Sequence, residues 1–119
     1  MLSLPASVRI FLCLEVTDMR RGFDGLAAMA TDIVGEDPLS GHLFVFRNRR
    51  QDRVKILYWD RDGYALFYKR LEKGTFKFPT VVTRRSRRVE IKASDLMMLL
   101  DGVDLRSVRR ERRYVRSAS

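Results

Sequence analysis

Clusters of arginine and lysine interleaved with aromatic rings are the residues whose types and spacing suggest chemistry, and that chemistry is phosphate binding. One group comprises Arg47, Arg49, Arg50, Arg53 and Lys55, and a second Lys69 and Arg70, with Lys73 and Lys77 nearby. A third is Arg84, Arg85, Arg87 and Arg88, and a fourth is Arg106, Arg109, Arg110, Arg112, Arg113 and Arg116. Phe44, Phe46, Tyr58, Trp59, Tyr64, Phe67 and Tyr68 fall among the first two. Guanidinium groups clamp phosphate while rings stack on bases, so cations beside aromatic faces suit a nucleic-acid surface. A plainer reading competes. Alternate residues of a strand point to opposite faces, so most of these aromatics are expected in the core. Trp59, beside Asp60 at a hairpin end, is placed either to stack or to cover the sheet edge. The arginines in turn have solvated loops as their plain alternative.

The charge balance favours phosphate-rich partners. Twenty-four basic residues against fifteen acidic ones give a formal net charge of +9, and neutralising nucleic-acid phosphates releases condensed counterions. Nineteen of the basic residues are arginine and five are lysine, a bias that a GC-rich genome would also produce. An acidic protein partner and a merely solvated basic surface remain alternatives.

Catalysis finds little support. His42 is the single histidine and Cys13 the single cysteine, which leaves neither a disulfide nor a zinc-ligand set. No Ser, Cys or Asp stands at a motif spacing from His42, and no phosphate-binding GxxxxGK[ST] loop occurs. Cys13 lies in an apolar run and reads as a buried small hydrophobe. A two-metal nuclease needs only a few carboxylates, but Asp18 reads as a helix cap and Asp60 and Asp62 as hairpin residues. No cofactor or metal is expected. No apolar run approaches the ~20 residues of a membrane span, and no signal peptide is recognisable. The cytoplasm is the default compartment.

The elements that must position these groups fit one α+β domain. A chain of 119 residues, 45% hydrophobic, holds one core and little more. Val8–Leu14 reads as a strand covered on both faces. Thr17-Asp18 offers a helix N-cap, apolar residues from Phe23 to Val34 follow at helical spacing, and Gly35 is a stop. Leu43–Arg47, Arg53–Trp59 and Tyr64–Lys69 form an antiparallel meander, joined by the polar loop 48–52 and by a hairpin marked by Asp62-Gly63. Val81–Thr83 and Val89–Ile91 are short strand candidates. Ser94 is expected to cap a final short helix with Asp95 in its first turn and a stripe of Leu96, Leu99, Leu100 and Val103. The expected architecture is therefore a small antiparallel meander sheet, an N-terminal helix after the first strand and a short C-terminal helix. The domain spans 1–105, and a basic tail spans 106–119.

Four ordered blocks carry a resemblance. They are Thr17-Asp-Met-Arg-Arg-Gly-Phe-Asp-Gly-Leu26, Asp37-Pro-Leu-Ser-Gly-His-Leu-Phe-Val-Phe-Arg-Asn-Arg-Arg50, Lys55-Ile-Leu-Tyr-Trp-Asp-Arg-Asp-Gly63, and Phe67-Tyr-Lys-Arg-Leu-Glu-Lys-Gly74. Phe76, Pro79 and the late Leu96-Met-Met-Leu-Leu-Asp-Gly-Val-Asp104 continue the pattern. Over roughly residues 8–104 the chain resembles the TnpB-type, second-open-reading-frame proteins of the bacterial insertion-sequence family sixty-six. The resemblance implies a protein encoded beside a separate transposase that bears the catalytic acids, and an accessory role in moving the element. The positions it marks as characteristic are Asp18, Arg20, Arg47, Arg49, Lys55, Trp59, Asp60, Lys69 and Arg70, without assigned roles. The arginine-dense stretch 84–88 and the tail depart from the family pattern.

The expected function is non-catalytic assistance of transposition through weakly sequence-selective DNA binding, with the transposase of the same element as a partner. The alternative is an adaptor that docks on the transposase through its aromatic sheet face without binding DNA. A metal nuclease is a third reading, expected to fail. The free edge of a short meander also leaves a homo-oligomer open.

Overall fold

Four consecutive buried residues, Ile10, Phe11, Leu12 and Cys13, form strand β1 (Ile10–Cys13), and their unbroken apolar run is what a strand covered on both faces requires. The computed structural model describes residues 5–79 and 86–102. Beside β1 lie β2 (Leu43–Arg47), β3 (Arg53–Asp60), β4 (Gly63–Arg70) and β5 (Arg88–Ile91), in the order β4-β3-β2-β1-β5. The meander β2-β3-β4 and its hairpins are antiparallel, with Val45 opposite Ile56 and Ile56 opposite Phe67. Strand β5 is antiparallel to β1, with Ile10 opposite Ile91.

One pairing departs from the antiparallel pattern of the expected meander. β1 and β2 run parallel, with Ile10 opposite Leu43 and Leu12 opposite Val45, so the sheet is mixed. The reason lies in the connection: a helical crossover brings the chain back to the same end of the sheet, where a tight turn would reverse it.

That crossover is helix α1 (Phe23–Met29), continued by a π-helical turn over Ala30–Val34 and stopped by Gly35 at φ 78°. The expected cap at Thr17-Asp18 is not formed; Gly22 occupies the N-cap position. The Thr17 amide donates to the carbonyl of Arg47 at 2.9 Å. The Asp18 carboxylate accepts from the Arg20 amide at 2.9 Å, closing a turn before the helix begins. An aspartate oxygen serves an amide two residues on as readily as a helix start. Helix α2 (Ala93–Leu100) likewise begins one step earlier than a Ser94 cap implies. Lys92 is its N-cap, and Asp95, in the first turn as expected, reaches back to the Lys92 amide at 3.3 Å.

The two helices cover opposite faces of the sheet. Leu26, Met29, Ala30 and Val34 pack with Phe11, Phe44, Phe46 and Leu57 on one side. Leu96, Leu99 and Leu100, with Phe76 and Phe78, pack with Ile10, Val45, Val54 and Ile56 on the other. Each face buries the apolar set that strand alternation assigns to it, giving a three-layer α+β domain. The candidate strand at 81–83, Val103 of the α2 stripe and the domain boundary near 105 lie outside the described residues.

Candidate nucleic-acid interface

The loop joining β2 to β3 is stapled by one side chain. Asn48 Nδ2 donates to Asp52 Oδ1 at 2.6 Å, and Asn48 Oδ1 accepts from the Arg53 amide at 3.0 Å. The Asn48 hydrogen bond also holds the Asp52 carboxyl below the ordinary carboxylate range. Gln51 takes φ 60°, a left-handed conformation that tightens the turn. Arg49 and Arg50 are thereby held out at its tip, exposed. Asn48 is a structural support of the candidate site that the sequence presents only as part of a polar loop. The available signal was an Asn and an Asp four residues apart in a tight connection.

Two concavities flank this loop. One, of about 540 Å³, lies between Arg49, Arg50 and Arg53 on one side and Thr17, Asp18 and Met19 on the other. The second, of about 320 Å³, lies between the loop and residues 75–79. The Asp18 carboxylate accepts a hydrogen bond and an ion pair from Arg20 Nη2 at 2.7 Å, which lowers its pKa to about 2. Asp18 and Arg20, marked by the resemblance, thus stand beside the arginine loop.

Several cations expected at a phosphate surface hold the fold together. Buried Lys55 donates to the carbonyls of Met19 and Arg21 at 2.6 and 2.8 Å and lies 4.8 Å from the Tyr68 ring centre. Lys69 donates at 2.8 Å to the carbonyl of Leu100, one of the orphan acceptors at the end of α2. Arg88 does the same for Val34 at the end of the π-helical turn, at 3.0 Å, and pairs with Glu36 at 2.7 Å. Arg47 donates to the Leu14 carbonyl at 2.9 Å and stacks over Phe78. Arg53 donates to the Tyr68 hydroxyl, Arg70 pairs with Glu72, and Arg87 with Glu15.

Trp59 is half-buried and packs edge-on against its cross-strand neighbour Tyr64, with ring centres 5.1 Å apart. It sits six residues along β3 from Arg53, roughly 20 Å at strand rise, so the fold does not bring it to the arginine loop. Asp60 and Asp62 lie exposed beside it. Arg84, Arg85, Arg109, Arg110, Arg112 and Arg113 lie outside the described residues.

His42 Nδ1 accepts from the Arg9 amide at 3.0 Å, and its ring meets Phe11 edge-on. Cys13 is fully buried, and burial pushes its thiol pKa up. Among the described residues no group of three or more His, Cys, Asp or Glu is arranged to hold a metal, and no helix is long and apolar enough to cross a membrane.

Residues 8–110 match the protein-family model described as IS66 Orf2-like protein, TnpB_IS66. The uncharacterized protein y4jC of Sinorhizobium fredii is 34% identical over 111 residues, covering 93% of this chain and 92% of that protein. The uncharacterized protein y4hO of the same organism is 37% identical over 106 residues, covering 89% and 90%. No solved structure matches the chain. The quoted blocks and the matched span agree, and the chain belongs to the IS66 Orf2-like family.

Proposed function

We propose that the protein is a non-catalytic accessory of insertion-element transposition that binds DNA and supports the element's separate transposase in the cytoplasm. Family membership supplies the transposition context. The observation that carries DNA binding is the pair Arg49 and Arg50, exposed at the tip of a stapled loop and without a side-chain hydrogen bond or ion pair among the described residues. Most of the remaining positive excess is carried by 80–85 and 103–119, where the sequence has eight arginines against two acidic residues, Asp104 and Glu111. Contacts of this kind are to phosphate and carry no base information, so selectivity is weak.

The test is binding of the purified protein to labelled element-end duplex and to unrelated duplex across a salt series. Affinity is expected to fall steeply with salt and to differ little between the duplexes, and truncation after Leu105 is expected to flatten the slope. Absence of binding at low salt overturns DNA binding and leaves the adaptor reading. That second reading has its own observation: exposed Tyr68 and the half-buried Trp59 and Tyr64 share the α1 side of the outer strands. Among the described residues β4 is moreover an eight-residue edge strand whose open side offers pairing to a second copy, which sedimentation of the full chain reads directly.

A further inference from the structure

The smaller concavity differs from the larger one in its charge. Asp18 and Asp52 stand among the arginines of the larger, whereas Arg47, Arg50 and Lys77 line the smaller and no carboxylate does. Its walls are fastened to each other. The Phe76 amide donates to the Gln51 carbonyl at 2.7 Å, and the Leu71 amide to the Asp52 carbonyl at 2.8 Å. Phe76 and Phe78 are buried, so their rings form a floor and leave no face for stacking. On the rim, Lys77 Nζ donates to Thr75 Oγ1 at 3.0 Å. Arg50 makes no side-chain hydrogen bond or ion pair among the described residues and feels only the more distant charge of Asp52.

Arg47 makes the strongest demand for an anion. Its guanidinium is half-buried, one nitrogen is used on the Leu14 carbonyl, and its Nε is buried without a hydrogen-bond partner. Among the described residues no carboxylate pairs with it, and burial lowers its pKa. A cation removed from water without a counter-charge is costly, and an anion lodged beside it offsets that cost.

We propose that the concavity between the β2–β3 loop and residues 75–79 is a phosphate-binding site, in which Arg50 and Lys77 grip the phosphoryl oxygens and Arg47 supplies positive charge from below. At about 320 Å³ it is at the small end of ligand pockets, which suits one phosphoryl group with its attached sugar. That group is either a monoester, at a strand end or on a free nucleotide, or a diester within a strand. Its assignment to DNA rests on the accessory reading above, while the preference for phosphate follows from the pocket itself.

The experiment is an NMR titration of the isotope-labelled full chain with inorganic phosphate, a nucleoside monophosphate, and single-stranded oligonucleotides with and without a 5′-phosphate. Shifts confined to 47–51 and 75–79 are expected. Arg50→Ala and Lys77→Ala should each weaken phosphate binding about tenfold, while Arg61→Ala, exposed on the far hairpin, leaves it unchanged. A tenfold preference for the 5′-phosphorylated strand assigns the site to monoesters, and equal affinity assigns it to diesters. Shifts scattered over the surface, or an equal loss in Arg61→Ala, overturn the site. Duplex binding that ignores Arg50→Ala and Lys77→Ala, with no phosphate-induced shifts at 47–51 and 75–79, sinks the site but spares the accessory reading. Phosphate capture without duplex binding does the reverse.

Discussion

Lys55 Nζ donates to the carbonyl of Met19 at 2.6 Å, joining β3 to the turn before α1 across 36 positions of sequence. A second bond, to the Arg21 carbonyl, lets one ammonium satisfy two carbonyls of that turn. Lys55→Met keeps the aliphatic stem and removes the donors, leaving both acceptors in a site where the native side chain is only 6% exposed. The expected loss is about 2–4 kcal/mol of folding stability, read by urea denaturation. A loss below about 0.5 kcal/mol would show that water replaces the ammonium at no cost.

The β3–β4 hairpin closes at Asp60 opposite Gly63 and puts Arg61 at φ 58°. The sequence signal Asp62-Gly63 thus locates the hairpin correctly, but its glycine falls two residues after the left-handed position. Arg61→Gly is expected to be neutral to stabilising, because relief of the left-handed conformation offsets the greater freedom of the unfolded chain. Arg61→Val, β-branched at positive φ, should cost about 1 kcal/mol or more. Thermal unfolding of the two variants checks this; equal stabilities contradict the turn geometry.

The fold was legible where a residue's own preferences decide its place. The apolar run of β1, the meander, the Gly35 stop and the Leu96, Leu99 and Leu100 part of the α2 stripe all follow from periodicity and turn chemistry. The parallel β1–β2 pairing was not legible, since it depends on where a crossover returns the chain. The helix starts shifted because Asp18 and Asp95 each have an alternative local amide to satisfy. The candidate site was legible only in part, for a related reason. Lys55, Lys69 and Arg88 are as cationic as Arg49 and Arg50, and only the tertiary fold shows that their donors end on backbone carbonyls. Charge alone cannot distinguish an arginine waiting for phosphate from one that closes a helix end.

The Asp18–Arg20 pair makes a pH prediction. The folded pKa of Asp18 is lowered to about 2 from 3.8, first by the Arg20 side-chain hydrogen bond and then by the Arg20 amide. A depressed carboxylate contributes stability that is fully present above its unfolded pKa and is lost as pH falls through the folded one. The window is therefore pH 4 down to 2. An NMR titration of the Asp18 carboxyl should show a midpoint near 2 in the native chain, and Arg20→Ala should move it back toward 3.8. A midpoint unchanged by that substitution would mean that the pair does not persist in solution. The same measurement bears on the larger concavity, because Asp18 stays charged beside Arg49 and Arg53 across all physiological pH.

The division of the cations into two kinds can be tested in a single set of variants. Lys69→Met and Arg88→Met remove donors from the carbonyls of Leu100 and Val34, and each should destabilise the fold by about 1–2 kcal/mol. Neither should alter the salt dependence of DNA binding measured well below the unfolding transition. Arg49→Ala and Arg50→Ala remove charges that hold nothing, so stability should stay within about 0.5 kcal/mol of the parent. Their combination should lower the slope of log K against log salt by about 2, one unit for each phosphate left without its cation. Exchanged outcomes, with stability lost at the loop and salt dependence lost at Lys69 and Arg88, would place the phosphate surface on the wrong cations. The loop would then be a structural element and the helix ends the DNA-facing surface. Because the two readouts are independent, a DNA-binding defect cannot be mistaken for partial unfolding.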